Sequence, residues 1–282
     1  MAGVCVVAVS PGGERHQPVR GCSDGTGKVR LGRLDNAAYT LMARPTDGVH
    51  GMQWVGPSGG TGSQYLARQV TPAPGQVTAV PPIQLDRAGT IAGLVTDAAT
   101  GKGVNLECVD VTPVGGDPTF DGVCQGALSD AAGHYTLTGV GPYAWPVEFS
   151  SVEGNGYAWQ WSGGVASRKQ ATLVPVGAGR TATVNAKLSR GTTVSGTVLG
   201  TNGAPLQSTV VLVNSDTGDD AGWATPTIGR YAVGVLPQAV RIRYTDPRTP
   251  AALLWYKKVA DFTHATPVTV GSTAVTVDLV GL

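Results

Sequence analysis

Gly89-Thr90-Ile91-Ala92-Gly93-Leu94-Val95-Thr96 decides how this chain is read, because Gly191-Thr192-Thr193-Val194-Ser195-Gly196-Thr197-Val198 repeats it further along. A long-period repeat is the signature of an array of similar units. Each copy runs into a turn, Asp97-Ala98-Ala99-Thr100-Gly101 in one and Gly200-Thr201-Asn202-Gly203 in the other. A strand follows each turn, Cys108 to Thr112 and Val210 to Asn214. The opening strand of the chain, Cys5 to Ser10, matches this second strand and not the first.

A second landmark recurs three times. Asp24-Gly25-Thr26-Gly27-Lys28-Val29 matches Asp130-Ala131-Ala132-Gly133-His134-Tyr135, and the third copy reads Pro226-Thr227-Ile228-Gly229-Arg230-Tyr231. The Asp carboxylate caps the turn, and Gly takes the positive-φ position that starts the next strand in register. Each turn is expected to lead into a strand ending at Leu34, Val140 or Leu236. An aromatic strand comes next. His50-Gly51-Met52-Gln53-Trp54 matches Tyr157-Ala158-Trp159-Gln160-Trp161 and Ala251-Ala252-Leu253-Leu254-Trp255. Each copy closes on a last strand: Thr78 to Leu85, Thr181 to Leu188, Ala274 to Leu279.

The chain therefore divides into modules 1–87, 88–189 and 190–282, each of a size for a β-sandwich of two antiparallel sheets. The fold class is all-β: tandem Ig-like or prealbumin-like sandwiches, the first lacking its opening strand. The joins Asp86-Arg87-Ala88-Gly89 and Ser189-Arg190-Gly191 are short, which predicts a stiff rod. The first copy has no counterpart of Gly89 to Gly103. A missing strand leaves unpaired backbone and uncovered apolar side chains. Residues upstream or strand complementation by another chain would supply it, and the first source is the simpler.

Composition agrees. Charged residues are 14% of the 282, while Gly is 41 and Pro 19, a mixture that suits short strands and tight turns rather than helices. The net charge of +1 comes from scattered basic residues, which excludes the clustered basic face that a nucleic-acid partner needs. No apolar segment reaches the length of a membrane span. Val4 to Val9 is too short for a signal peptide and reads as a strand.

Cys5 and Cys22, and Cys108 and Cys124, are two pairs at nearly the same spacing. That suggests one local disulfide in each of two modules, although four cysteines allow three connectivities. A zinc site fits worse, since there is no C-x2-C pair and no H-x3-H. Disulfides imply an oxidising compartment. The chain is thus expected to be secreted or displayed at a cell surface, as a fragment of a longer protein lacking its signal peptide.

Gly-Thr-Ile-Ala-Gly-Leu-Val-Thr-Asp-Ala-Ala-Thr-Gly (89–101), then Cys108, then Ser129-Asp130-Ala131-Ala132-Gly133-His134-Tyr135-Thr136-Leu137 resemble the carboxypeptidase regulatory-like domain. That family is a transthyretin-like sandwich related to the B-type repeats of the collagen adhesin. Gln160-Trp161 and the Thr172 to Leu188 ending resemble copies in secreted actinobacterial proteins. The resemblance implies extracellular stalks, surface adhesion or accessory modules beside secreted hydrolases. The third module departs from it, with Pro226 at the turn Asp position and no cysteine. Some relatives carry a Lys–Asn isopeptide crosslink. Asn185 lies on a last strand, but Thr90 to Thr96 has no Lys, so no crosslink is expected.

Catalytic and metal motifs are weak. Gly56-Pro57-Ser58-Gly59-Gly60 fits the G-x-S-x-G pattern, yet that mechanism needs a strand before the Ser and a helix after it. His16, His50, His134 and His264 are scattered, and no Ser/His/Asp set recurs. Asp216-Thr217-Gly218-Asp219-Asp220 offers oxygen ligands of the kind calcium favours, but it reads better as a solvated hairpin loop. No cofactor, metal or catalytic residue is expected. Tyr157, Trp159 and Trp161 have period-2 spacing, which puts them on one face of a strand. Facing outward they would form a platform for a polysaccharide or a surface protein. Facing inward they are core. The recurrence of Trp at the positions of Trp54 and Trp255 marks that of Trp161 as structural, and leaves Tyr157 and Trp159 as the better ligand contacts. The leading reading is a non-catalytic structural or adhesive repeat region. The alternative is a carbohydrate-binding accessory region of a secreted hydrolase such as an amylase or peptidase.

Overall fold

The computed structural model describes residues 1–10, 19–112, 124–151, 155–246, 253–259 and 261–282. The architecture is all-β, and the only helical elements among these residues are the 3-10 turns Gln64–Leu66 and Arg168–Gln170. His16 lies outside the described residues.

The second and third modules are built alike. In the second, Gly89–Asp97 is the central strand of its sheet. It pairs antiparallel with His134–Val140 and parallel with Thr181–Thr183 and Ala186–Leu188. The facing sheet runs Gln160–Trp161, Glu148–Ser151, Glu107–Asp110, Ala127–Leu128. In the third, Thr192–Leu199 pairs with Arg230–Val235, Val275–Thr276 and Leu279–Val280. Its facing sheet is Asp220–Ala224, Val210–Asn214, Gln238–Thr245, Leu253–Trp255, with Val268–Val270 alongside. Alternation explains the layering. Along His134–Val140 the buried residues are Tyr135, Leu137 and Val140, while the polar ones between them face water.

Register refines the repeat. Ile91 lies opposite Leu137 and Val194 opposite Val233, so Gly89 corresponds to Thr192 rather than to Gly191. The third module's strand ends at Val235, not Leu236. The last strands are each broken in two, because the chain steps away from the ladder at Val184-Asn185 and Val277-Asp278. At those steps side chains replace the ladder: Asn185 Oδ1 accepts from Leu94 N at 2.9 Å, and Asp278 Oδ1 from Thr197 N at 2.9 Å.

Among its described residues the first module has one six-stranded sheet, led by Val19–Cys22, Val4–Val9, Tyr39–Pro45 and Gln53–Val55. The strands expected to end at Leu34 and to cover Thr78 to Leu85 are absent, and no strand is assigned over 23–38 or 71–86. The reason is visible in the other modules, where both equivalents hydrogen-bond to a central strand that has no counterpart among the described residues of 1–87. Its apolar core is correspondingly split. Val6, Ala8, Tyr39 and Leu41 form one cluster, whereas Val7, Met42 and Trp54 join the second module's core.

The Asp turns form as expected. Asp130 Oδ1 accepts from Ala132 N and His134 N, both at 2.9 Å, and Gly133 sits at φ +86°. Asp24 Oδ1 accepts from Thr26 N at 2.8 Å and Lys28 N at 3.1 Å, and Gly27 sits at φ +81°. Replacing Asp130 with Ala is expected to cost about 1 kcal/mol in a denaturant titration, the value of the exposed hydrogen bonds lost. Asp130→Asn, which keeps one acceptor oxygen, is expected to recover most of it.

Candidate functional site

Both predicted disulfides are present, Cys5–Cys22 and Cys108–Cys124, with no free cysteine. The first ties Val4–Val9 to its edge strand, where the two cysteines are directly opposed. The second anchors the chain after Glu107–Asp110.

The aromatic segment does not lie flat on one strand face. Only Gln160–Trp161 is a strand, paired with Glu148–Ser151. Residues 157–159 leave that sheet to reach the third module, where Trp159 makes a parallel bridge to Val235, and Ala158 N donates to Ser189 O, at the join, at 2.9 Å. Met52 repeats the arrangement one junction earlier with Val140: Met52 N donates to Gly139 O at 2.7 Å and Gly141 N to Met52 O at 3.0 Å. Trp161 is 2% exposed, like Trp54 and Trp255, and Trp159 is 7% exposed. Tyr157 is half-buried. Its hydroxyl donates to Asp97 Oδ2 at 2.8 Å, and the Arg190 guanidinium lies 4.3 Å from its ring centroid. Burial favours packing over stacking for this segment.

Around Tyr157 lies a polar cluster that sequence reasoning missed. Asn155 Oδ1 accepts from Tyr157 N at 3.1 Å, Asn155 O accepts from Arg190 Nη1 at 2.6 Å, and Asn155 Nδ2 donates to Glu107. Glu107 is buried on its strand, and burial pushes its carboxyl up to about 7, against the opposing Asn155 hydrogen bond. The hydrogen bond from Tyr157, followed by those from Thr100, holds Asp97 down at about 2.

A second missed set links all three modules. Gln64 and Arg168 each open a 3-10 turn after a serine. Arg168 Nη1 donates to Gln64 Oε1 at 2.7 Å and Arg168 Nε to Asp219 Oδ2 at 3.0 Å. Gln64 Nε2 in turn donates to Thr40 Oγ1 at 3.0 Å. The matching pattern Ser63-Gln64 and Ser167-Arg168 was in the sequence, but nothing there said that the two side chains meet.

The acidic segment corrects the solvated-loop reading. Asp219 and Asp220 are buried, and each acidic side chain there meets a cation: Asp216 meets Lys169 at 2.6 Å, Asp219 meets Arg168, and Asp220 meets Arg243 at 2.8 Å. The carboxylates are therefore committed to ion pairs. Among the described residues no group of His, Cys, Asp and Glu is placed to hold a metal ion. Ser58 lies in the turn of a hairpin between Gln53–Val55 and Gly60–Thr61, without the following helix that a nucleophile elbow needs. His50 and His264 face Asp47 and Asp261 on the surface, and His134 is exposed on its strand. Among the described residues no helix is long and apolar enough to cross a membrane.

No family model matches the chain, and no curated protein matches it. Among solved structures it is similar to the TIE protein of Bacillus anthracis, at 10% identity over 99% of this chain with a TM-score of 0.27, and it spans 51% of that protein's length. A streptococcal ancillary pilin matches at 13% identity over 93% of this chain and 81% of its own, with a TM-score of 0.25. The minor pilin GBS52 of Streptococcus agalactiae matches at 14% identity over 67% of this chain and 83% of its own, with a TM-score of 0.26. Likenesses at these scores carry no functional inference, and the fold class rests on the strand registers.

Proposed function

We propose that this chain is a non-catalytic, extracellular structural or adhesive repeat region, made of the modules 1–87, 88–189 and 190–282 and akin to carboxypeptidase regulatory-like repeats. The observation that carries the reading is the way its polar side chains are spent. Arg168 joins Gln64 to Asp219 across three modules, and backbone bridges at Met52 and Trp159 tie each module to the next. Such ties hold modules in a fixed relation, which a segment that transmits force or presents a partner needs. The two disulfides suit a secreted or cell-surface setting.

Carbohydrate binding would draw on Tyr157 and Trp159, the residues with the aromatic surface for it. Trp159 is buried and Tyr157 is held by Asp97 and Arg190. The wild-type chain is therefore expected to migrate unretarded in native gels containing soluble starch or other polysaccharides. Retardation that Tyr157→Ala relieves would overturn the reading in favour of the accessory-module alternative. Hydrolysis of peptide, ester or glycoside substrates, abolished by a single side-chain replacement, would overturn it in favour of an enzyme.

A further inference from the structure

We propose that the Cys5–Cys22 disulfide is a thiol-exchange site: a small thiol attaches to Cys22, Cys5 departs as the leaving sulfur, and the Arg20 guanidinium stabilises it. The inference goes beyond the structural reading above and does not rest on it. The two sulfurs differ in access. Cys5 lies on Val4–Val9, between Val19–Cys22 and Tyr39–Pro45, and is 5% exposed. Cys22 ends the outer strand and is exposed. Exchange begins with a thiolate attacking one disulfide sulfur along the S–S axis, so the reachable sulfur takes the adduct and the other leaves. Access therefore directs attack to Cys22 and departure to Cys5.

The leaving sulfur also has a partner suited to its charge. Arg20 Nη2 donates to Cys5 Sγ at 3.3 Å. Arg20 and Cys22 alternate with Gly21 on one strand and so share a face, and the ladder sets Cys22 opposite Cys5 and Arg20 opposite Val7. A guanidinium stays protonated and lowers the pKa of a neighbouring thiol, and a thiol of lower pKa leaves faster. Burial of Cys5 opposes this by penalising the thiolate. The Arg20 bond offsets that penalty. A charge-assisted bond to a thiolate is stronger than one to a neutral disulfide sulfur, so it tightens as the S–S bond breaks. On the other side Arg44 is directly opposite Cys5, and its guanidinium bonds to neutral acceptors, Gln125 Oε1 at 2.7 Å and Thr112 Oγ1 at 2.9 Å. Its positive charge lies on the same face of the sheet. The second disulfide is set differently. Cys108 is 2% exposed, Cys124 is half-buried, and the residues opposite Cys108 are the uncharged Ser150 and Leu128.

The step balances without a further oxidant. The small thiol loses its proton to solvent. Its sulfur then bonds to Cys22 Sγ while the Cys22–Cys5 bond breaks, and the bonding pair departs on Cys5 Sγ. The attacking sulfur is oxidised to the disulfide level, and Cys5 is reduced to a thiolate beside Arg20. The product is a mixed disulfide on Cys22, an exposed position on an outer strand. The backbone ladder from Cys5 opposite Cys22 to Ala8 opposite Val19 does not need the S–S bond, so it keeps Cys5 beside the adduct. Attack of the Cys5 thiolate on Cys22 Sγ then expels the small thiol and restores the original bond. The edge of the first module is thereby a reversible attachment point for a thiol-bearing molecule.

The test treats the full, oxidised chain with reduced glutathione at mildly alkaline pH, quenches with acid at intervals, and maps the peptides by mass spectrometry. Cys5–Cys22 is expected to open while Cys108–Cys124 is still intact, with glutathione on Cys22. Arg20→Gln is expected to slow the opening about three- to tenfold, and Arg20→Lys to recover most of the rate. A titration separates charge from shape. In Cys22→Ser the single thiol of the first module is Cys5, and its thiolate absorbance is expected to move to higher pH when Arg20→Gln is added. The wild-type map needs no variant, so it stands even if a substitution disturbs folding. Glutathione on Cys5 would overturn the proposal, as would opening of Cys108–Cys124 at an equal or greater rate. So would an unchanged or faster opening in Arg20→Gln, or a Cys5 titration that ignores it. The structural reading stands or falls separately, because it invokes no free thiol.

Discussion

Replacing Arg168 with alanine is expected to lower the unfolding free energy by about 3–5 kcal/mol, the usual cost of removing one partner from a buried ion pair. The Arg168 and Asp219 side chains are 6% and 5% exposed. Arg168 also lies over the Tyr65 ring at 4.8 Å and near the Trp161 ring at 5.8 Å. Its loss strands two acceptors, Asp219 Oδ2 and Gln64 Oε1, in a dry environment. Burial raises the Asp219 carboxyl, and Arg168 is the first influence that lowers it. Without Arg168 the carboxyl is expected to bind a proton more tightly in the folded state than in the unfolded state. Stability of the variant should then be highest below the ordinary carboxylate range and fall as pH rises through the raised folded value. Arg168→Met combined with Asp219→Leu removes both charges at similar volume, and should restore most of the loss. Guanidinium unfolding followed by tryptophan fluorescence at two pH values reads both effects. A loss below about 1 kcal/mol would place the pair with exposed ones that contribute little. Because Gln64 belongs to the first module and Asp219 to the third, hydrogen exchange in Arg168→Ala should rise around Thr40 as well as around Thr217.

The sequence was informative where a side chain's role is local. The Asp24 and Asp130 turns, the buried Trp at 54, 161 and 255, and both disulfides follow from spacing and from residues close in the chain. It was misleading where a role depends on which segment lies alongside. Residues 28–34 have the alternation of a strand and the turn that should start one, yet a strand is made by its partner, and no described residue pairs with them in a ladder. Tyr157 and Trp159 have the spacing of one strand face, but a junction with the next module pulls them off the sheet. Asp219 and Asp220 look like surface loop residues, because nothing near them in the chain announces Arg168 or Arg243. Glu107 reads as one more polar residue beside a cysteine. Its burial comes from being on a strand covered on both sides, with all four residues of Glu107–Asp110 buried.

Glu107 yields the other large effect. Its folded-state carboxyl titrates at about 7, against an ordinary value of 4.5, because burial penalises the charged form. Between those values the folded chain holds a proton that the unfolded chain releases, so stability must fall as pH rises. The contribution of the neutral acid is fully present below pH 4.5 and is gone once pH passes 7. A shift of this size corresponds to about 3 kcal/mol. Glu107→Gln replaces the acid with a neutral group of the same length that still offers a carbonyl oxygen to Asn155 Nδ2. The variant is expected to match the wild type near pH 4, to gain on it steadily through neutrality, and to exceed it by about 3 kcal/mol at pH 8. Asn155→Ala acts in the opposite sense. It removes the one hydrogen bond that favours the ionised form, so the decline with pH should extend to higher values. Thermal unfolding across pH 4–8 separates the possibilities. If Glu107→Gln left the slope between pH 5 and 7 unchanged, the pH dependence would originate elsewhere. If it destabilised the chain at neutral pH and progressively less on acidification below the ordinary carboxylate range, Glu107 would be held as the carboxylate by groups stronger than the Asn155 amide.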